Sequence, residues 1–227
     1  MLTLNGLSGG YGQANVVHGV DISVAAGEVV ALLGRNGTGK TTLLRTVFGL
    51  ADRQGGEVVF DGRTVPPGRP DLLARWGASL MPEDRGVFPS LTVTENLRLA
   101  TRKGFVPAAD PRELFPLLTE RAGQPAGTLS GGQKQQLGVA RSILAGRRMV
   151  VIDELTQGLQ PSLVSGALAA LAAVAAGGAA VIVVDQHAGL MLDWCHRAIV
   201  MEAGRVVLDA PTGPETRQRL DELLMVR

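Results

Sequence analysis

The chain has 227 residues, 45% hydrophobic and 19% charged, which suits one globular domain with an aliphatic core and excludes a disordered chain. Its 22 basic and 21 acidic residues leave a net charge of +1, which excludes the broad basic footprint of a nucleic-acid binder. The single cysteine, Cys195, excludes an internal disulfide and suits a reducing compartment.

The opening MLTLNGLSGGYG carries neither a basic segment nor a long apolar run, so no secretory leader is expected. Residues 2–7 and 16–24, separated by a Gly-rich turn, read as antiparallel strands at one edge of a sheet. Residues 28–33 form a short apolar strand and 40–50 a helix, and 78–81 is again a strand. From about 82 to 128 the alternation stops. Residues 92–102 and 111–120 read as helices, with Pro and Gly at their joints. Alternation then resumes with helix 131–145, strand 149–153, helix 162–176 and strand 180–184. A hairpin, 198–202 and 205–208, closes around Ala203-Gly204.

Strand-then-helix repetition points to an α/β fold with a mostly parallel sheet. The whole reads as one domain: a core of about 1–81 and 147–227 with an antiparallel β edge subdomain, and an inserted helical subdomain of about 82–146. The thirty uncharged residues 155–184 are long enough to span a bilayer. Pro161, Gly177-Gly178 and the dominance of alanine favour instead a buried helix, a break and a strand.

Gly34-Arg35-Asn36-Gly37-Thr38-Gly39-Lys40-Thr41 matches a Walker A loop at every fixed position, between an apolar strand and a helical pattern. The glycines let successive N–H groups turn toward phosphate oxygens, and the next helix offers its positive end to the same anion. Lys40 is placed to reach the β- and γ-phosphates, with Thr42 one residue beyond the Mg²⁺-binding hydroxyl of Thr41. Only Lys103 and Lys134 accompany Lys40 as lysines among the 22 basic residues.

Asp153 ends the apolar run Met149-Val150-Val151-Ile152, where a carboxylate can hold Mg²⁺, and Glu154 follows as the group to polarise a water. Alone, such a pair also reads as a solvated strand end. Its order after Walker A favours a nucleotide site, and the absence of an Asn-Lys-x-Asp motif favours ATP over GTP. Leu129-Ser130-Gly131-Gly132-Gln133 opens a further helix. It is either a second anion site or an ordinary Ser-Gly cap.

With LSGGQ between Walker A and Walker B, the sequence resembles the ATP-binding subunits of ABC transporters over nearly its whole length. The resemblance implies a P-loop ATPase fold and assigns roles residue by residue. Tyr11 resembles the aromatic that stacks on adenine, and His187 the switch histidine that contacts the γ-phosphate. Gly158-Leu159-Gln160-Pro161 stands in the D-loop. Pro82-Glu83 stands in the Q-loop, where Glu83 would approach Mg²⁺ through water. Two such subunits are expected head to tail, each ATP lying between Walker A of one and LSGGQ of the other.

Membrane permease subunits and, indirectly, a solute-binding protein are the further partners implied, at the cytoplasmic face of the cell membrane; nucleic acid is not. Three positions depart from the usual pattern: Glu83 replaces glutamine, Leu155 replaces a proline and Gln160 replaces an aspartate. None removes a group essential to hydrolysis. The stretches 36–45 and 88–93 look most like importers of branched-chain amino acids, and 158–163 and Tyr11-Gly12-Gln13 also look like the related urea and short-amide systems. A soluble ABC ATPase of DNA repair or translation would need a second nucleotide domain, a long coiled coil or a basic surface. A regulator without turnover conflicts with Glu154 and His187.

Overall fold

The structure, a computed structural model, describes residues 1–225. In chain order the elements are β1 Leu2–Tyr11, β2 Ala14–Val24, β3 Val29–Leu33, α1 Lys40–Val47, β4 Asp52–Phe60, β5 Arg63–Thr64, α2 Pro70–Trp76, β6 Ala78–Met81, α3 Val93–Ala100, α4 Pro111–Leu114 and α5 Leu117–Glu120. There follow α6 Gly131–Ala145, β7 Met149–Asp153, α7 Pro161–Ala176, β8 Ala180–Asp185, α8 Ala188–Leu192, β9 Arg197–Glu202, β10 Arg205–Pro211 and α9 Pro214–Met225. One sheet has six strands in the order β10-β9-β3-β8-β7-β6, and a second has four in the order β2-β1-β4-β5. All neighbours in the first are parallel except the β9–β10 hairpin.

Every residue of β3, β7 and β8 is buried, because both faces of the six-stranded sheet are covered. Side chains alternate between two cores. Val29, Ala31, Leu33, Val150, Ile152, Val181 and Val183 pack with residues of α6 and α7. Val30, Leu32, Val151, Ile182 and Val184 face the other way, onto Leu43 and Val47 of α1 and onto Leu2, Leu4 and Ile22 of the four-stranded sheet. The period-2 alternation therefore builds a three-layer molecule from strands that read as uniformly apolar.

The antiparallel strands expected at one edge of the sheet instead form a separate layer. The missing member was β4, whose DRQGGEVVF is too polar and Gly-rich to announce a strand. β1 runs on to Tyr11 and pairs with both β2 and β4. The glycines between residues 7 and 10 lie at irregularities of the ladder, and the turn is only Gly12-Gln13. The helix expected over 111–120 is split into α4 and α5, because Pro116 has no N–H to continue the ladder. Helix α1 stops at Val47, where Gly49 turns with φ +69°. The short helices α2 and α8 and the terminal α9 were not anticipated.

Several ends follow the sequence closely. Ser130 and Gln133 form a capping box at the start of α6, and Thr92 and Glu95 another at α3. The uncharged stretch resolves into α7, the Gly177-Gly178 stop and β8. Among the described residues no helix is long and apolar enough to cross a membrane.

The β9–β10 turn ties the layers together at the loop after β3. Gly204 N–H donates to Thr38 O at 2.9 Å, and Gly204 O accepts from His18 N–H at 2.9 Å. Its φ is +75°, and a Cβ there would lie 2.0 Å from Val16 O. Gly204→Ala is expected to destabilise the fold by about 3 kcal/mol through strain and clash, read as a lowered midpoint in urea.

Candidate active site

The carboxyl ends of β3, β7 and β8 share one end of the sheet, and the Walker A and Walker B residues meet there. The loop leaving β3 is packed so tightly that a Cβ on Gly34 would lie 2.5 Å from Met201 O and 2.8 Å from Thr38 Oγ1. Thr38 Oγ1 donates to Arg35 O at 2.9 Å, closing the loop on itself. An open cleft of about 900 Å³ beside it is lined by Asn36, Gly37, Gly39, Lys40, Thr41, Thr42, Glu83, Asp153, Glu154 and Val16. Gly34, Arg35 and Asn36 also border an adjoining hollow with Gln186.

Lys40 is buried, and its Nζ donates to Gly34 O at 2.7 Å and Arg35 O at 2.9 Å. Burial lowers its pKa, while Asp153, Glu154 and Asp185 pull it back up. The ammonium is thus fixed inside the loop, surrounded by backbone and within the field of three carboxylates. Such a charge is arranged to receive an anion at little cost in reorganisation.

Asp153 is 2% exposed. Burial pushes its pKa up to about 6; the Thr41 side-chain hydrogen bond and Lys40 oppose the rise, and Glu154 and Glu83 add to it. Asp153 Oδ1 is buried with no hydrogen-bond partner. An orphaned carboxylate oxygen beside a threonine hydroxyl fits a hard divalent cation. Among the described residues no cluster of three or more His, Cys, Asp or Glu could hold a metal by itself.

Glu154 has φ +59°, a left-handed backbone that costs a non-glycine residue on the order of 1–3 kcal/mol. The strain turns the chain sharply at the end of β7 and leaves Glu154 lining the cleft. Asp185, the last residue of β8, is buried and gathers the neighbouring loops. It accepts from Thr156 N–H at 2.9 Å and Thr156 Oγ1 at 3.0 Å, and from the N–H groups of Gln186 and His187. His187 Nδ1 lies 2.8 Å from Asp185 Oδ1 and 2.9 Å from Thr156 Oγ1, which leaves Nε2 as the outward nitrogen of a mostly exposed ring.

Not every expected residue reaches the cleft. Tyr11 is 44% exposed and its hydroxyl accepts from Arg45 Nη1 at 3.4 Å; Val16 is the residue of that hairpin that lines the cleft. His187 is held on Asp185 and is not among the residues that line the cleft. None of Leu129, Ser130, Gly131, Gly132 and Gln133 lines it. Gly132 instead packs so closely on the loop after β7 that a Cβ would lie 2.3 Å from Gly158 O. Asp185 and Val16 were not singled out from the sequence. For Asp185 a signal existed: like Asp153, it is an acid at the end of a wholly apolar strand.

The ABC transporter family matches residues 17–157 of this sequence. The chain belongs to that family. It is an ATP-binding subunit and an ATPase. It is 34% identical to the high-affinity branched-chain amino acid transport ATP-binding protein BraG of Pseudomonas aeruginosa, over 92% of this chain and 91% of that one. It is also 34% identical to the glutamate/aspartate import ATP-binding protein GltL of Escherichia coli, over 93% and 91%. The solved structure of an ATP-binding subunit of an ABC transporter superimposes with a TM-score of 0.84 at 28% identity, covering 99% of this chain and 98% of that one.

The raised Asp153 pKa carries a sign. Between about pH 4 and 6 the folded ABC ATPase holds a proton that the unfolded chain has released, so this group favours folding more as pH falls. The thermal midpoint of the nucleotide-free wild type relative to Asp153→Asn is expected to rise from pH 6 to pH 4. Parallel pH profiles for the two proteins would refute the buried-acid account.

Proposed function

We propose that this ABC ATPase powers import across a membrane, with an amino acid of the branched-chain class, or urea or a short amide, as the solute. The single observation that carries its chemistry is the cleft that joins the Lys40 loop to Asp153 and Glu154. In this reading the N–H groups of 34–41 and the Lys40 ammonium hold the phosphates of ATP. Thr41 and Asp153 would hold Mg²⁺, with Glu83 reaching it through water; the ion supplies positive charge to the phosphate oxygens. The Glu154 carboxylate takes the proton of the attacking water, and His187, steadied by Asp185, contacts the γ-phosphate. Tyr11, exposed and braced by Arg45, offers its ring to adenine.

The signature residues Leu129 to Gln133 stand at the start of α6 and outside this chain's own cleft. Their place there supports a head-to-tail pair in which each copy's signature closes on the other's ATP. Permease subunits are assigned to the segment 82–146, near Arg85 to Ser90. Leu99 and Arg141 line a concavity there, and Arg141 stacks 4.8 Å from the ring centre of exposed Phe88. A solute-binding protein would deliver the solute on the other side, and the subunit would sit peripherally on the cytoplasmic face. The amino-acid solutes named for the relatives support the choice of cargo.

Purified protein with Mg-ATP is expected to turn over. Glu154→Gln should lower kcat by about 100-fold or more and trap ATP-bound dimers in size-exclusion chromatography. Lys40→Ala should weaken ATP binding by about tenfold or more, measured by nucleotide fluorescence. A Glu154→Gln protein that hydrolyses normally would refute the assignment of the base.

A further inference from the structure

Gln135 lies on the second turn's side of the signature capping box, is 1% exposed, and uses both ends of its amide. Its Nε2 donates to Glu154 O at 2.7 Å and to Leu155 O at 3.1 Å. Its Oε1 accepts from Arg85 Nε at 3.0 Å. Two carbonyls on one side and a guanidinium on the other allow only one amide orientation, so the partners fix it.

The two carbonyls belong to the turn that carries Glu154. That turn has a left-handed residue, φ +59°, followed by Leu155, which has no ring to restrict its backbone. Its N-terminal side is tied by Glu154 N–H to Val184 O at 2.9 Å, and its C-terminal side by Thr156 to Asp185. Gln135 supplies the remaining clamp, on the carbonyls between these ties. The clamp comes from α6, and its outer partner comes from the segment after β6. Arg85 itself has φ +70°, packs against Gly138 of α6, and has its Nη2 3.4 Å from Gln157 Oε1.

We propose that Gln135 is a positioning residue for hydrolysis: it fixes the strained Glu154–Leu155 backbone so that the Glu154 carboxylate stays aimed into the cleft, and Arg85 sets the amide that does so. The inference rests on Glu154 being the base. It places the aim of that base under the control of two elements, α6 and the 82–88 segment, that lie outside the phosphate loop.

The test uses the full-length chain. Gln135→Met keeps the volume and removes both hydrogen-bonding functions. It is expected to lower kcat about tenfold or more with KM for ATP within about twofold of wild type. In the nucleotide-free protein, amide hydrogen exchange at Glu154 and Thr156 should accelerate while β3 and α1 stay protected. Arg85→Met should shift the same two readouts in the same direction, with kcat down about threefold, and it carries the test if Gln135→Met does not fold. Wild-type kcat and unchanged exchange at Glu154 in the folded variant would overturn the inference, as would a rise in KM with kcat preserved. Glu154→Gln measured in parallel separates the two failures: an inactive Glu154→Gln beside a fully active Gln135→Met sinks only the positioning role, whereas an active Glu154→Gln sinks the base.

Discussion

The register of three parallel strands underlies the rest of the molecule. β8 lies between β3 and β7, with Leu33 opposite Asp185 and Asp153 opposite Val184. That pairing brings the start of the phosphate loop and two buried carboxylates to nearly one level at the same sheet end. A one-residue slip would turn Asp153 and Asp185 toward the opposite faces of the sheet and bury them in hydrocarbon. The register is held by two apolar cores, one on each face, so site geometry and fold stability share the same side chains.

Charges inside the site are arranged to need something from outside. Lys40 is satisfied by two loop carbonyls, while Asp153 keeps one buried oxygen without a donor. Asp185 differs, because it is saturated by backbone N–H groups, a hydroxyl and an imidazole. Of two buried acids at neighbouring strand ends, one organises loops and the other keeps the oxygen that the proposed function assigns to a cation. Burial raises the pKa of Asp153 against the Thr41 hydrogen bond, with the neighbouring charges of Glu154 and Glu83 adding to the rise.

Much of this was legible in the sequence where local chemistry decides the structure. Strands 78–81 and 149–153 and helix 131–145 fall where the apolar runs and the Ser130 cap place them. Walker A and Walker B residues meet in one cleft because each motif sits at a strand end. What was not legible depends on long-range pairing. β4 is recognisable only as the partner of β1, and the four-stranded layer follows from it. Pro116 marked a joint that the helical pattern over 111–120 had concealed. Gln135 sits in an unremarkable polar run, and only the fold brings it against the carbonyls of Glu154 and Leu155. The signature lies away from this chain's cleft, a placement that no single-chain spacing could give.

In the proposed function the cleft takes ATP through the Lys40 loop and a divalent cation through the unpartnered oxygen of Asp153. Calorimetric titration of ATP into wild type and Asp153→Ala, each with Mg²⁺ and with EDTA, tests it directly. Mg²⁺ is expected to tighten ATP binding to wild type by about tenfold or more and to leave binding to Asp153→Ala nearly unchanged. An equal Mg²⁺ dependence in both proteins would contradict it.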